Sequence, residues 1–389
     1  MRYINDTGLY LKKINIIKLS LIVLRTYFKI LLIAISISFI TGYRVISLNV
    51  VYYFDILILL YTFSFFFIQR KIRISRFTYN IIKILLFIFL PSMILINFTN
   101  DISGSLKFFS QYLFTIVIIP LFLESLFRIR LYIFFLKSLL LSLTINSLYF
   151  MSMYFFSIKN IYFNEKFLYR FAIGDFTPNE MGHYFVLMLF LSILLFKNKL
   201  KLLIEPLAAF SYVLTFSKTV WVQIGIFLLL KRTKLLLVSC IAIITFLYFF
   251  GYLHSVFEAI SLILQDFSSS TQSNQIRIEM FHDAIKSIPE SLFSPGYKDL
   301  KNLDTSLSVH NGFVSFIVNF GLLSFLLLFF VSVFYIWKNF HNKFFRFILL
   351  FIVIDSIVLV FNPLINSRIV WLPLFLYIYT YYYKMVKHV

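Results

Sequence analysis

The chain has 389 residues, of which 61% are hydrophobic and only 13% are charged, and its mean hydropathy is +0.90. Because a soluble domain usually carries about 25% charged residues, this composition excludes a soluble enzyme and predicts a membrane protein. The net charge of +20 does not indicate nucleic-acid binding, since the basic residues stand in short clusters between apolar runs.

Taken in chain order, the apolar runs predict one bundle of transmembrane helices over residues 1–389. A helix needs about 20 residues to cross the hydrocarbon core. The twelve predicted spans are 26–42, 45–68, 77–97, 106–127, 131–156, 180–197, 202–216, 218–231, 235–252, 309–336, 344–363 and 368–383. Residues 14–25 form either an interfacial helix or a longer first span, and no A-x-A-like cleavage signal follows, so we expect the first helix to be retained.

The basic clusters predict the orientation of this bundle. Short loops rich in Lys and Arg remain in the cytoplasm, and the clusters at 70–76, 197–201 and 338–346 fall on one side if the N-terminus is cytoplasmic. Most acidic residues then fall on the other side. The sequence therefore predicts an all-α integral membrane protein of about twelve helices, with both termini inside.

Two polar segments are too long to be simple turns. Residues 157–179 and 253–308 are both predicted to be extracytoplasmic, and the second precedes the tenth helix. Within it, Asn274 can cap a short helix that Pro289 would end, and the apolar residues between them recur at helical spacing. Long loops in compact folds are usually functional, so we expect the site here.

Several ionisable residues lie inside the predicted spans: Lys29, Asp55, Lys83, Glu124, Lys137, Glu205 and Asp355. Such groups are functional candidates in membranes. They are spread over many helices, unlike a proton relay, and lysines near helix ends can extend to the interface. We therefore expect structural pairing for most of them, and a structural role also for His183 and His282. Cys240, alone in an apolar run, forms no internal disulfide or cysteine metal site.

No motif for nucleotide binding, metalloprotease chemistry or a nucleophile elbow occurs in the chain. What remains is a set of basic and polar residues at the predicted extracytoplasmic ends of helices: Arg170, Asn179, Lys218, Arg277 and His310. Arginine offers planar, paired donors that stay charged, so this set suits a phosphate ligand without a metal or another cofactor.

Four segments carry a resemblance to a known family. They are RFAIGDFTPNEMGHYF from Arg170, TFSKTVWVQIG from Thr215, QIRIEMFHDAIKSIPESLFSPGY from Gln275 and SVHNGFVSFIVNFGLLSFLLLF from Ser308. In this order they resemble the shared core of the O-antigen ligase and Wzy-type polysaccharide polymerase superfamily. The resemblance covers residues 170 to 325, whereas the N-terminal half matches only as generic helices.

The resemblance implies a metal-independent, inverting glycosyltransferase in the cytoplasmic (inner) membrane of a bacterium, with its site on the extracytoplasmic side. The donor would be a glycan on polyprenyl diphosphate. Arg170 and Arg277 would bind the diphosphate, and His310 would activate the acceptor hydroxyl. Asn179 and Asn311 would keep the local geometry of the site in place. This assignment fits the physical chemistry, because arginine can neutralise a leaving diphosphate and histidine can accept a hydroxyl proton.

Lys218 departs from the family pattern, because many relatives carry arginine there and a lysine cannot bind phosphate through two parallel donors. It remains a candidate substrate-binding residue. The resemblance implies a lipid-linked oligosaccharide and membrane lipid as partners, with a flippase and a chain-length regulator of the same pathway as further candidates. Nucleic acid is not an expected partner.

Three other functions remain open at this point. An O-antigen ligase would move the finished glycan to lipid A core or to a protein. A flippase for lipid-linked oligosaccharides would also have about twelve helices, although transporters often show repeated halves. A membrane scaffold would leave the arginine and histidine set unexplained. We favour the polymerase because a divergent chain rich in Phe and Ile suits loci whose repeat units vary.

Overall fold

The computed structural model describes residues 3–41, 52–69, 74–96, 110, 112–156, 181–196, 199–213, 217–231, 312–361 and 368–387. These residues are almost entirely helical. The α-helices within them are α1 (Tyr3–Thr41), α2 (Tyr53–Gln69), α3 (Arg76–Ile96), α4 (Ile119–Arg128), α5 (Tyr132–Phe156), α6 (Met181–Leu195), α7 (Lys199–Val213), α8 (Lys218–Lys231), α9 (Gly312–Asn339), α10 (Lys343–Phe361) and α11 (Arg368–Lys387). A π-helical turn, Phe114–Ile118, leads directly into α4.

The helices follow the predicted spans closely. Each predicted span overlaps a helix, except the ninth, 235–252, which lies outside the described residues. Residues 14–25 belong to the continuous helix α1 and do not form a separate helix. Within the described residues, Ile22–Thr41, Tyr132–Tyr149 and Phe320–Asn339 are apolar enough and long enough to cross a membrane. The prediction of an all-α membrane protein is confirmed at this level.

The outward-facing side chains of α9 are apolar, which indicates that lipid and not water surrounds this helix. Phe334 and Trp337 are 61% and 74% exposed, and Phe329 and Phe330 are exposed beside them. A soluble monomer rarely exposes a continuous apolar surface of this kind. Lipid hydrocarbon, in contrast, covers such a surface favourably, because it removes the apolar side chains from water.

Polar side chains accept hydrogen bonds from backbone amides where helices begin. Ser75 Oγ accepts the Thr78 amide at 3.2 Å before α3, and Asn342 Oδ1 accepts two early amides of α10 at 2.8 and 3.2 Å. At the start of α2, Asp55 Oδ2 accepts the Tyr52 amide at 3.0 Å. The first amides of a helix have no partner within it, so these bonds fix where α2, α3 and α10 start.

Helix α6 occupies the centre of the bundle. Every residue from Met181 to Ser192 is buried, and the helix packs against α5, α7, α8, α10 and α11. It runs antiparallel to α10, because His183 meets Asp355 while Phe190 packs against Phe347. A polar side chain on α6 therefore lies inside protein and not against lipid.

The basic residues of the described helices mark one end of the bundle. Lys231 ends α8 and Lys343 begins α10, while Tyr381 near the end of α11 bonds Asn339 at the end of α9. We call this the basic end. At the opposite end, where α6, α8, α9 and α11 begin and α10 finishes, the basic residues among the described helix ends are Lys218 at the start of α8 and Arg368 at the start of α11.

One glycine interrupts α9. Gly321 has φ 81° and ψ 155°, a backbone conformation that other residues rarely adopt, and it separates the first nine residues of α9 from the rest. Just beyond it, Ser324 Oγ donates to the Ile88 carbonyl of α3 at 2.9 Å. The short first part of α9, which directly follows the His-Asn pair in sequence, therefore takes its own direction.

Candidate functional site

Most of the predicted site residues lie outside the part of the chain that the structure describes. These are Arg170, Asn179, Arg277, His310 and Asn311. In sequence, Asn179 precedes the first residue of α6 by two positions and Asn311 directly precedes α9. Their roles stay predictions, but the helices that follow them all begin at the end opposite the basic end.

Lys218, the remaining predicted site residue, is the first residue of α8. It therefore also stands at the end opposite the basic end. Its role in substrate binding stays a prediction as well.

The described residues contain a buried polar cluster that joins four helices. His183 Nδ1 of α6 and Asp355 Oδ1 of α10 are 2.6 Å apart, and both side chains are 1% exposed. From α8, Gln223 Nε2 donates to the Ile354 carbonyl at 3.0 Å. The Tyr377 hydroxyl of α11 interacts with the Asp355 carboxylate. We call His183, Gln223, Asp355 and Tyr377 the His183 cluster.

The cluster lies between the middle of the bundle and the end opposite the basic end. With a rise of 1.5 Å per residue, His183 stands about 3 Å and Gln223 about 7.5 Å along the axis from the first residues of α6 and α8. Asp355 lies six residues before the end of α10, and Tyr377 lies at the middle of α11. The cluster is thus close to the first residues of α6 and α8, and the predicted site residue Lys218 is the first residue of α8.

Among the described residues, His183 Nε2 and Gln223 Oε1 are buried without a hydrogen-bond partner. Asp355 and Tyr377 interact with each other, although Asp355 Oδ2 and the Tyr377 hydroxyl form no hydrogen bond of ordinary geometry. Each such atom costs about 1–3 kcal/mol in a protein interior. A network that served only stability would have these atoms paired. The cluster is therefore a candidate site for a ligand or a proton.

The unpaired atoms define what kind of ligand would fit. If Asp355 accepts a hydrogen bond from Nδ1–H, Nε2 of His183 carries a free lone pair. The bond to Ile354 directs the amide of Gln223 so that Oε1 remains an acceptor. The donors are the second N–H of the Gln223 amide and the Tyr377 hydroxyl, which already interacts with Asp355. The site has more acceptors than donors, so it suits a group that brings a hydrogen, such as a hydroxyl or water.

Aromatic rings close the cluster on the side of the basic end. The rings of Phe190 and Tyr377 are 4.7 Å apart between centroids, and those of Phe190 and Phe351 are 5.2 Å apart. Both pairs adopt edge-to-face geometry, which suits the charge distribution of aromatic rings. This packing excludes water from the basic side and strengthens electrostatic interactions between His183 and Asp355.

A second buried polar cluster lies at the basic end and differs in its bonding. Glu124 of α4 accepts the Ser75 amide at 3.1 Å, the Ser75 hydroxyl at 2.8 Å, the Thr78 hydroxyl at 2.9 Å and Arg128 Nε at 3.1 Å. The Thr78 hydroxyl also bonds the Tyr379 hydroxyl at 2.7 Å. We call these five residues the Glu124 cluster. Its bonding confirms the predicted structural pairing of Glu124.

The sequence missed most of the His183 cluster. Asp355 has a partner, as predicted, but that partner is His183, to which only an undefined structural role was assigned. Gln223 was not considered at all. One signal was present, because His183 and Gln223 belong to two of the four segments that carry the family resemblance. Among the described residues, no group of three or more His, Cys, Asp or Glu side chains could hold a metal ion.

No protein-family model, curated protein or solved structure matches this chain. Any assignment of function therefore depends on the residues of this chain and their arrangement.

Proposed function

We propose that the protein is an O-antigen or capsule polysaccharide polymerase. It would transfer a glycan from polyprenyl diphosphate to a hydroxyl of another lipid-linked repeat unit on the extracytoplasmic face. The four ordered segments suggest this function, and one structural observation supports it. His183 of the first segment and Gln223 of the second bond neighbouring residues of α10, namely Asp355 and Ile354. Two segments that are separate in sequence thus converge on one buried polar site.

The distribution of charge supports an outward-facing site. By the positive-inside rule, the basic end is cytoplasmic, so α6, α8 and α9 begin at the extracytoplasmic end. The predicted residues Asn179, Lys218 and Asn311 precede or begin these three helices. Reporter fusions at Ser269 and Lys343 should report opposite sides of the membrane. A cytoplasmic signal at Ser269 would contradict both the topology and the position of the site.

The proposed chemistry needs no metal. The acceptor oxygen attacks the anomeric carbon, and the bond from that carbon to the diphosphate breaks with its electron pair leaving on the diphosphate. Arg170 and Arg277 would bind this leaving group, since fixed guanidinium groups stabilise the growing negative charge. The resemblance assigns acceptor activation to His310. Neither arginine depends on protonation near neutral pH for its charge.

A deletion strain separates the proposed function from its alternatives. A polymerase deletion should leave surface glycan of about one repeat unit where a ligase is present, and lipid-linked single units should accumulate. Loss of surface attachment while long lipid-linked chains still form would instead identify a ligase. These outcomes are read from the length of the surface glycan and of the lipid-linked pool.

A lipid-linked oligosaccharide flippase is the second candidate, and the His183–Asp355 pair is the observation that favours it. Paired ionisable groups inside a helical bundle mark proton relays in many transporters. A flippase deletion would prevent single lipid-linked units from reaching the extracytoplasmic face. Their appearance there in the deletion strain would exclude this function, and their absence would exclude the polymerase.

A further inference from the structure

We infer that His183 and Asp355 form a hydroxyl-activating dyad, in which His183 Nε2 accepts the proton of the acceptor hydroxyl and Asp355 orients the imidazole. This inference rests on the proposed polymerase function and assigns the role of base to His183 in place of His310, to which the resemblance assigned it. The chemical class of the ligand is an alcohol, namely a hydroxyl of the acceptor glycan.

The geometry of the dyad is that of a general base with its orienting group. The 2.6 Å contact between His183 Nδ1 and Asp355 Oδ1 is short, as expected for a bond to a carboxylate. Asp355 fixes the tautomer with hydrogen on Nδ1, which places the free lone pair on Nε2. A base held by a carboxylate on its far nitrogen is the arrangement that recurs in enzymes that activate hydroxyl groups.

A purely structural histidine would leave a different pattern. In a buried structural role both ring nitrogens would be bonded, because an unpaired nitrogen inside a bundle destabilises the fold. Among the described residues, Nε2 has no partner, and Gln223 Oε1 is also without one. Both atoms accept hydrogen bonds. A hydroxyl can donate its hydrogen to Nε2 and accept in return from the second N–H of the Gln223 amide.

The step balances without a metal or redox partner. The acceptor O–H bond breaks and its proton forms a bond with His183 Nε2. The oxygen electron pair forms the new bond to the anomeric carbon, while the old bond to the diphosphate breaks and the diphosphate keeps its electrons. The resulting imidazolium is stabilised by the Asp355 carboxylate, which itself stays unprotonated. The proton passes to solvent after the products leave.

Two substitutions test the dyad by different routes. His183→Gln keeps a polar side chain but removes the base. Asp355→Asn keeps the hydrogen bond but donates to Nδ1, which moves the imidazole hydrogen to Nε2 and removes its lone pair. Each should lower the elongation rate of the purified protein about 10²–10⁴-fold, the range expected for loss of a general base. A structural role predicts little loss in Asp355→Asn.

Matched controls make the same chemical changes elsewhere. His341→Gln alters a histidine in the exposed turn before α10, and Asp55→Asn alters a buried carboxylate at the start of α2. Both should elongate chains at nearly the wild-type rate. The amount of each variant in the membrane and its thermal midpoint in detergent report any loss of folding.

Azide distinguishes a base from a structural residue even if a variant is less stable. This anion attacks the anomeric carbon without losing a proton, so it should restore donor cleavage, as glycosyl azide, in His183→Gln and Asp355→Asn. It should not restore cleavage in Arg277→Ala, because the proposed defect of that variant is weaker stabilisation of the leaving diphosphate. Rescue of both dyad variants supports the inference.

Three results would overturn the inference. The first is elongation by both dyad variants within about threefold of wild type, a difference under 1 kcal/mol. The second is azide rescue of His310→Gln but of neither dyad variant. Both results leave the polymerase function intact. The third is a wild-type protein that elongates no lipid-linked repeat unit, which overturns the proposed function and this inference together.

Discussion

The two buried polar clusters differ in how completely their hydrogen bonds are satisfied. In the Glu124 cluster both carboxylate oxygens accept bonds, from Ser75, Thr78 and Arg128. In the His183 cluster the side chains of His183 and Asp355 are each 1% exposed, yet among the described residues a ring nitrogen and a carboxylate oxygen lack ordinary partners. Burial of a charged group in this bundle therefore does not by itself indicate function. Unsatisfied bonding capacity beside a buried pair of ionisable groups distinguishes the His183 cluster from the Glu124 cluster.

The largest expected effect separates activity from stability. Replacing both His183 and Asp355 with Leu removes a buried hydrogen-bonded pair in favour of apolar volume, and replacement of a buried pair in this way is often neutral or stabilising by about 1–4 kcal/mol. Elongation should nevertheless fall by at least about 10²-fold. The measurements are the elongation rate and the thermal midpoint in detergent. A large drop in the midpoint would show that the pair holds the bundle together, as the Glu124 cluster does.

Substitutions of Arg277 test, in the same elongation assay, the part of the site that was predicted from the sequence. Charge-assisted bonds are worth about 1.5–3 kcal/mol, so Arg277→Ala should lower elongation about 10²-fold with normal protein in the membrane. Arg277→Lys retains the charge but loses the planar pair of donors, and should recover only part of the rate. Near-normal turnover in Arg277→Ala would remove this residue from the mechanism.

Glu124 should show the opposite behaviour to the His183 pair. Glu124→Ala leaves Ser75, Thr78 and Arg128 without their acceptor and should destabilise the protein by about 1.5–3 kcal/mol. The elongation rate per folded molecule should stay close to wild type. Thermal unfolding in detergent measures the first quantity, and activity normalised to folded protein measures the second. An unchanged midpoint would contradict the structural role of this cluster.

Gln223 should have an intermediate effect. Gln223→Leu removes one bond to the Ile354 carbonyl and also the unpaired Oε1. The two changes nearly cancel in stability, but loss of an acceptor near the reacting hydroxyl should lower elongation about tenfold, which corresponds to 1.4 kcal/mol. A rate for Gln223→Leu equal to that of the wild type would place Gln223 outside the site.

The smallest expected effect concerns Thr78, which links Glu124 to Tyr379. Thr78→Val has nearly the same shape and removes only the hydroxyl. Since a single hydrogen bond contributes about 1 kcal/mol, the thermal midpoint should fall slightly and the elongation rate should not change. A lower rate at an unchanged midpoint would mean that the Glu124 cluster also contributes to function.

The sequence predicted the helices well because continuous apolar runs, bounded by polar residues, coincide with them. Span 218–231 coincides with α8, and the start of α11 at Arg368 was also predicted. The break at Gly321 was not predicted. A glycine in an apolar run does not by itself signal a break, since Gly225 lies inside α8 without interrupting it.

The site was harder to predict than the helices. His183 and Asp355 are 172 residues apart in sequence, and hydropathy does not show which faces of two apolar helices meet. The family resemblance led to residues in the loops between helices, where charged side chains are conspicuous. The buried pair was hidden because each member is one polar residue in an apolar run. Only packing of α6 against α10 brings the two together.

Chain elongation by the purified protein tests the central claim most directly. Wild-type protein in lipid is supplied with a synthetic repeat unit on polyprenyl diphosphate, with a chelator present, and the products are separated by length. We expect a ladder of lipid-linked chains with release of polyprenyl diphosphate, and almost none from the variant carrying Leu at both dyad positions. No ladder from the wild-type protein, or a ladder that requires a divalent metal, would contradict the account.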